Sequence, residues 1–173
     1  MTAIDDLQGA TTAASSELES SLTYIKLAAD LVDQERKNIG QGIGLQEIAK
    51  NLGLTAERVN QAAGMVSSTQ STVDGVTRAI QGLTVANEKS AVLAALAANG
   101  HSFNNAIGAV QGAIENLTEA RAQAQTWLGG EYYASSVVAA ISAAITAAEP
   151  AVTGLSQASG QNTDVESATR GVG

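Results

Sequence analysis

The stretch Val138-Ala-Ala-Ile141-Ser-Ala-Ala-Ile145-Thr-Ala-Ala148-Glu-Pro150-Ala-Val152-Thr-Gly-Leu155 decides the fold. Val138, Ile145 and Val152 recur at sevens, interleaved with Ile141, Ala148 and Leu155. Steps of three and four place such a set on one side of an α-helix, whereas a strand would alternate at every second residue. Three other stretches repeat the pattern. Leu18, Ile25, Val32 and Ile39 form a seam with Leu22, Ala29 and Ile43 beside it. Val59, Val66, Val73 and Ile80 form another, flanked by Ala62, Val76 and Leu83. Ile107, Ile114 and Leu128 form the last, with Val110, Leu117 and Ala124, interrupted by Arg121. These seams predict an all-α chain: an antiparallel bundle of about four long helices, with a short helical corner near 45–54.

Glycine, asparagine and proline set the expected breaks. Gly40, Gly42 and Gly44 should end the first helix, and Thr55 is a suitable N-cap for the second. Between Leu83 and Val92 the heptad phase slips, which predicts a kink or a separate helix over about 88–98. Asn99-Gly100 offers a stop before Ser102, and Gly129-Gly130 divides the third helix from the fourth. Pro150 should kink or end the fourth. The expected organisation is a frayed N-terminus over 1–12, one helical-bundle domain over 13–156, and a disordered tail over 157–173, where Gln, Ser, Gly, Asn and Thr dominate.

The 173 residues contain no cysteine, one histidine (His101), one proline, 3% aromatic residues and a net charge of −8. That inventory excludes a disulfide scaffold, a cysteine-ligated metal and thiol catalysis. It disfavours nucleic acid and anionic lipid as main partners, because both select a basic face. His101 has no second histidine with which to share a metal, and no Gly-x-Ser-x-Gly turn is present. Glu115 and Glu119 lack the Glu-x-x-His partners of a di-metal bundle. The chain thus predicts no catalytic residue, no cofactor and no metal. The uncharged run 132–148 is alanine- and serine-rich and barely of spanning length, so it reads as a buried helix rather than a membrane span. The opening Met-Thr-Ala-Ile-Asp5-Asp6 has no basic and apolar leader. The expected location is cytoplasmic, or exported without a cleaved signal peptide.

Two strings carry resemblances. The first runs from Leu45 through Ile48, Ala49, Leu52, Gly53, Leu54, Thr55 and Val59 to Ala62. It resembles a helix-turn-helix, closest to the promoter-reading segment of bacterial sigma factors. The resemblance implies that Thr55, Ala56, Arg58, Asn60 and Gln61 face DNA from a recognition helix. Ala56 and Asn60 stand where that family usually carries arginine. Over 26–60 each cation is matched by an acid: Lys26, Arg36, Lys37, Lys50 and Arg58 against Asp30, Asp33, Glu35, Glu47 and Glu57.

The second string, Trp127-Leu128-Gly129 between two amphipathic segments, resembles the Trp-x-Gly turn of the small helical-hairpin proteins exported by type VII secretion systems. The resemblance spans about 102–157. It implies an acidic, dimeric, non-enzymatic hairpin, although the family's C-terminal tyrosine–acid signal is missing here.

The leading expectation is a non-enzymatic helical interaction module, acidic, that self-associates or docks with a protein partner, with a link to type VII secretion as its sharper form. Its expected interface is Val138, Ile141, Ile145, Ala139, Ala143 and Trp127. The alternative is a helix-turn-helix DNA-binding protein, using Thr55, Arg58, Asn60 and Gln61, with a dimerising C-terminal bundle.

Overall fold

A computed structural model describes residues 3–39, 50, 86–127 and 134–171, with no strand among them. The described residues form three helices: α1 (Ala3–Ile39), α2 (Ala86–Trp127) and α3 (Ala134–Arg170). At the standard rise, α1 and α3 each run about 55 Å and α2 about 63 Å. The expected all-α class is present. Apart from Lys50, the corner near 45–54 lies outside the described residues, as does the seam Val59–Ile80.

The packing order follows from specific contacts. The Cα of Ala14 lies 3.5 Å from where a Cβ on Gly154 would stand, and Tyr24 shares a groove with Ala143. α1 therefore runs antiparallel to α3. Lys89 Nζ donates to the Arg170 carbonyl at 2.7 Å, and Arg121 approaches Ser142 at 3.5 Å, so α2 is antiparallel to α3 as well. α1 and α2 each pack along α3 and barely touch one another. They are parallel to each other, with α3 between them.

Each helix buries a strict heptad seam. In α1 it is Leu7, Thr11, Ala14, Leu18, Ser21, Ile25, Ala28 and Val32. In α2 it runs Val92, Leu96, Asn99, Phe103, Ala106, Val110, Ala113, Leu117, Ala120 and Ala124. In α3 it runs Val137, Ile141, Ala144, Ala148, Ala151, Leu155, Ala158, Asn162, Val165 and Thr169. One heptad position is mostly large and the other mostly small, so bulky side chains find room against alanine and serine on facing helices. Of the expected seams, Leu18, Ile25, Val32, Val110, Leu117, Ala124, Ile141, Ala148 and Leu155 are buried. Leu22, Ala29, Ile107, Ile114, Val138 and Val152 flank the core, half-buried.

Five expected boundaries are corrected. Residues 157–170 are not a disordered tail but continue α3, because Ala158, Asn162, Val165 and Thr169 hold the heptad phase inside the core. Two of their polar groups bond internally: Thr169 Oγ1 donates to the Val165 carbonyl at 2.8 Å, and Asn162 Nδ2 to the Leu96 carbonyl at 2.8 Å. The N-terminus is helical from Ala3, with Leu7 and Thr11 buried. Asn99-Gly100 does not stop α2, because Asn99 is itself a seam residue and Gly100 lies against Asn162. Residues 88–98 do not form a separate helix, since Val92, Leu96, Asn99 and Phe103 hold one phase within α2; Leu83, where the slip begins, lies outside the described residues. Finally, α3 passes through Pro150, whose ring sits on the exposed face while Ala148 and Ala151 pack inward.

The first turn of α1 and the last turn of α3 are supported by charge and by hydrogen bonds. Asp5 and Asp6 sit in the first turn of α1 and Arg170 in the last turn of α3, each complementing the helix dipole. The Gly171 N–H donates to the Ser167 carbonyl at 3.2 Å, and Lys89 reaches a carbonyl of the final turn from α2.

Gly9, Gly108 and Gly160 are exposed helix positions where an added Cβ would meet open space. Each glycine costs roughly 0.5–1 kcal/mol relative to alanine in a helix interior. The triple change Gly9→Ala, Gly108→Ala, Gly160→Ala should therefore stabilise the chain by about 2 kcal/mol. An unchanged urea midpoint would contradict the helical placement of these residues.

Candidate functional site

The described residues hold no group of three or more His, Cys, Asp or Glu side chains able to share a metal ion. His101 is exposed on the outside of α2 rather than in a turn, with Asn104 and Asn105 exposed beside it. Glu115 and Glu119 are exposed on the same helix. The DNA-facing set of the alternative reading, Thr55, Arg58, Asn60 and Gln61, lies outside the described residues.

The six expected interface residues separate. Ile141 is fully buried and Ile145 is 7% exposed, so both belong to packing within the chain, not to a surface for a second one. The reason is the antiparallel α3, which turns this seam onto α1 and α2. Val138 is half-buried against the core, Ala139 is exposed, and Ala143 is half-buried. Trp127 closes α2.

Ala143 belongs to an outward groove between α1 and α3. Glu17, Ser20 and Tyr24 form one wall, while Ala143, Thr146, Ala147 and Pro150 form the other, around a volume of about 460 Å³. Small side chains on α3 let the two backbones approach, and Pro150 forms part of the rim. Tyr24 is 43% exposed and Leu27, one turn further along α1, is 57% exposed. They are the exposed large apolar side chains among the described residues. With half-buried Leu31 they make a short apolar strip on a flank of α1 that the core seam does not use.

Glu17 carries the electrostatics of the groove. Its Oε2 is buried without a hydrogen-bond partner, against Gly154, where a Cβ would collide with the carboxyl. Burial raises the Glu17 pKa above its ordinary value of 4.5 by disfavouring the charged form. The folded state then binds its proton more tightly than the unfolded state. Glu17 consequently contributes most to stability below about pH 4.5, and that contribution is lost as pH rises through the folded pKa. Glu17→Gln should raise the urea midpoint at pH 7, and its advantage should shrink toward pH 4. A pH-independent difference would contradict the assignment.

Two amides mark a polar layer in the α2–α3 seam. Asn162 Nδ2 donates to the Leu96 carbonyl and, at 3.3 Å, to Glu166 Oε1. Asn99 Nδ2 and Asn162 Oδ1 are buried without partners. The bond from Asn162 to Leu96 forms in only one register of α3 on α2, since a slip of one heptad carries the amide away from that carbonyl.

No family model, curated protein or solved structure matches this chain. Separately, α3 is long and apolar enough to cross a membrane by length and composition. In this fold its apolar side chains form the central seam.

The groove's main residues were not visible in the seams. Glu17 looks like any solvated helix carboxylate until α3 is laid across it. Tyr24, Leu27 and Leu31 did carry a signal: apolar residues at helical spacing, off the phase of Leu18, Ile25 and Val32.

Proposed function

We propose that the chain is a non-enzymatic helical interaction module, which self-associates or docks helix-on-helix with a protein partner. The observation that carries this reading is the Tyr24–Leu27 strip, apolar and exposed beside an open groove on helices whose heptad seams are otherwise buried. The net charge of −8 favours a protein partner over nucleic acid. The finer architecture we propose is the four-helix bundle. α1 and α2 are parallel, each packed along α3 and barely touching one another, the relation of diagonal helices, and the seam Val59, Val66, Val73 and Ile80 supplies a sequence for the fourth corner. A role linked to type VII secretion is the sharper form of the reading. It draws on Trp127-Leu128-Gly129 between α2 and α3, which pack antiparallel as a hairpin.

Sedimentation equilibrium across a wide concentration range tests self-association. A mass above the monomer that falls in Tyr24→Ser/Leu27→Ser supports self-association through the strip. A strict monomer removes that form and leaves docking with another protein. Salt-sensitive binding of duplex DNA, lost in Arg58→Ala, would replace the module reading with the helix-turn-helix alternative.

A further inference from the structure

We propose that the groove between α1 and α3 is a binding site for an organic cation, with an ammonium or guanidinium head on Glu17 and an apolar body against Tyr24 and Pro150. Three kinds of acceptor line this one space. Glu17 brings a carboxylate to the lining; its Oε2 is shut away against Gly154 without a partner, and no cation among the described residues neutralises the group. Thr146 brings a hydroxyl and also a carbonyl. Its helical donor would be the N–H of residue 150, and proline has none. Tyr24, in the lining and partly exposed, brings an aromatic ring, the kind of group whose face attracts a cation.

The remaining lining, Ser20, Ala143 and Ala147, is small and leaves the space open, at a volume within the range of small-ligand pockets. The composition selects against other ligands. An anion would face a lone carboxylate with no basic residue in the lining, and a neutral apolar molecule would leave that carboxylate desolvated without a partner. Gly154 belongs to the same device: the absence of a Cβ lets the Glu17 carboxyl lie back against α3 at the groove wall. Tyr24 is shared with the strip proposed for self-association, whereas Glu17, Thr146 and Pro150 are not, so Glu17→Gln tests the site apart from that reading.

The test is a titration of the full chain with 4-phenylbutylammonium and its neutral isostere 4-phenylbutanol, read by backbone amide shifts. The expected result is saturable binding of the ammonium, with shifts confined to residues around 17–24 and 143–150. The alcohol should bind about tenfold more weakly. Glu17→Gln should erase the preference for the ammonium, and Tyr24→Ala should weaken binding of both probes. Gly154→Ala should weaken ammonium binding without changing any charge in the groove, by pushing the carboxyl out of place. A second arm uses a helical peptide with one central lysine. Tighter binding of the peptide than of the amine makes a partner's lysine the occupant, and the reverse order makes it a free amine. Equal binding of ammonium and alcohol, shifts elsewhere on the chain, or an unaltered preference in Glu17→Gln would overturn the proposal.

Discussion

Deleting residues 157–173 should cost the chain about 4 kcal/mol of stability and loosen the ends of α1 and α2 that pack there. The segment contributes Ala158, Asn162, Val165 and Thr169 to the buried seam of α3. Burial of a valine side chain alone stabilises by about 1.5–3 kcal/mol. Its loss would be compounded by exposure of Val92 and Leu96, on the turns of α2 that this end of α3 covers. The Asn162 bond to the Leu96 carbonyl and the Lys89 bond to the Arg170 carbonyl would go with it. Urea denaturation of the truncated chain measures the loss, and amide exchange locates it at the first turns of α1 and α2. A tail outside the fold would leave both unchanged, so the experiment separates the helix from the disorder that the composition suggests.

Phe103→Ala should destabilise by about 4 kcal/mol. Phe103 is the chain's one phenylalanine and the largest fully buried side chain among the described residues. It stands in the large half of the α2 seam, with Asn99 and Ala106 at the neighbouring seam positions. Alanine-rich neighbours have few flexible atoms with which to fill the void, and this places the cost in the upper part of the range for such truncations. Phe103→Leu, which keeps most of the volume, should cost about 1–1.5 kcal/mol. Chemical denaturation at matched pH distinguishes the two. A loss below about 1 kcal/mol for the alanine variant would mean that Phe103 is not at the packed centre of the α2–α3 contact.

Much of this fold was legible residue by residue. Leu18, Ile25 and Val32, or Ile141, Ala148 and Leu155, announce helices because large apolar side chains at sevens have no other regular conformation in which to share a face. The small half of each seam was not legible. Ala144 is in the core, Ala143 lines the groove and Ala139 is exposed, yet the three differ only in their neighbours. Alanine carries too little hydrophobic signal to say which side it takes, so Ser21, Ala28, Ala106 and Ala151 emerged only from packing. The candidate site was hidden for a related reason. Glu17 is set apart from the other carboxylates among the described residues by Gly154, a contact across 137 positions of sequence.

The sequence by itself determined the helical class, the heptad period and the lack of thiol or clustered-histidine chemistry, since these depend on residue types and on spacings within a few turns. Tertiary structure decided where the helices end, which small residues are inside, and what Glu17 faces. Gly100 and Pro150 each cost about 1–3 kcal/mol as local helix breakers. The burial of a continuous seam along α3, from Val137 to Thr169, outweighs that cost. Local rules mark the points where a helix is weakest; packing on a neighbouring helix decides whether it breaks.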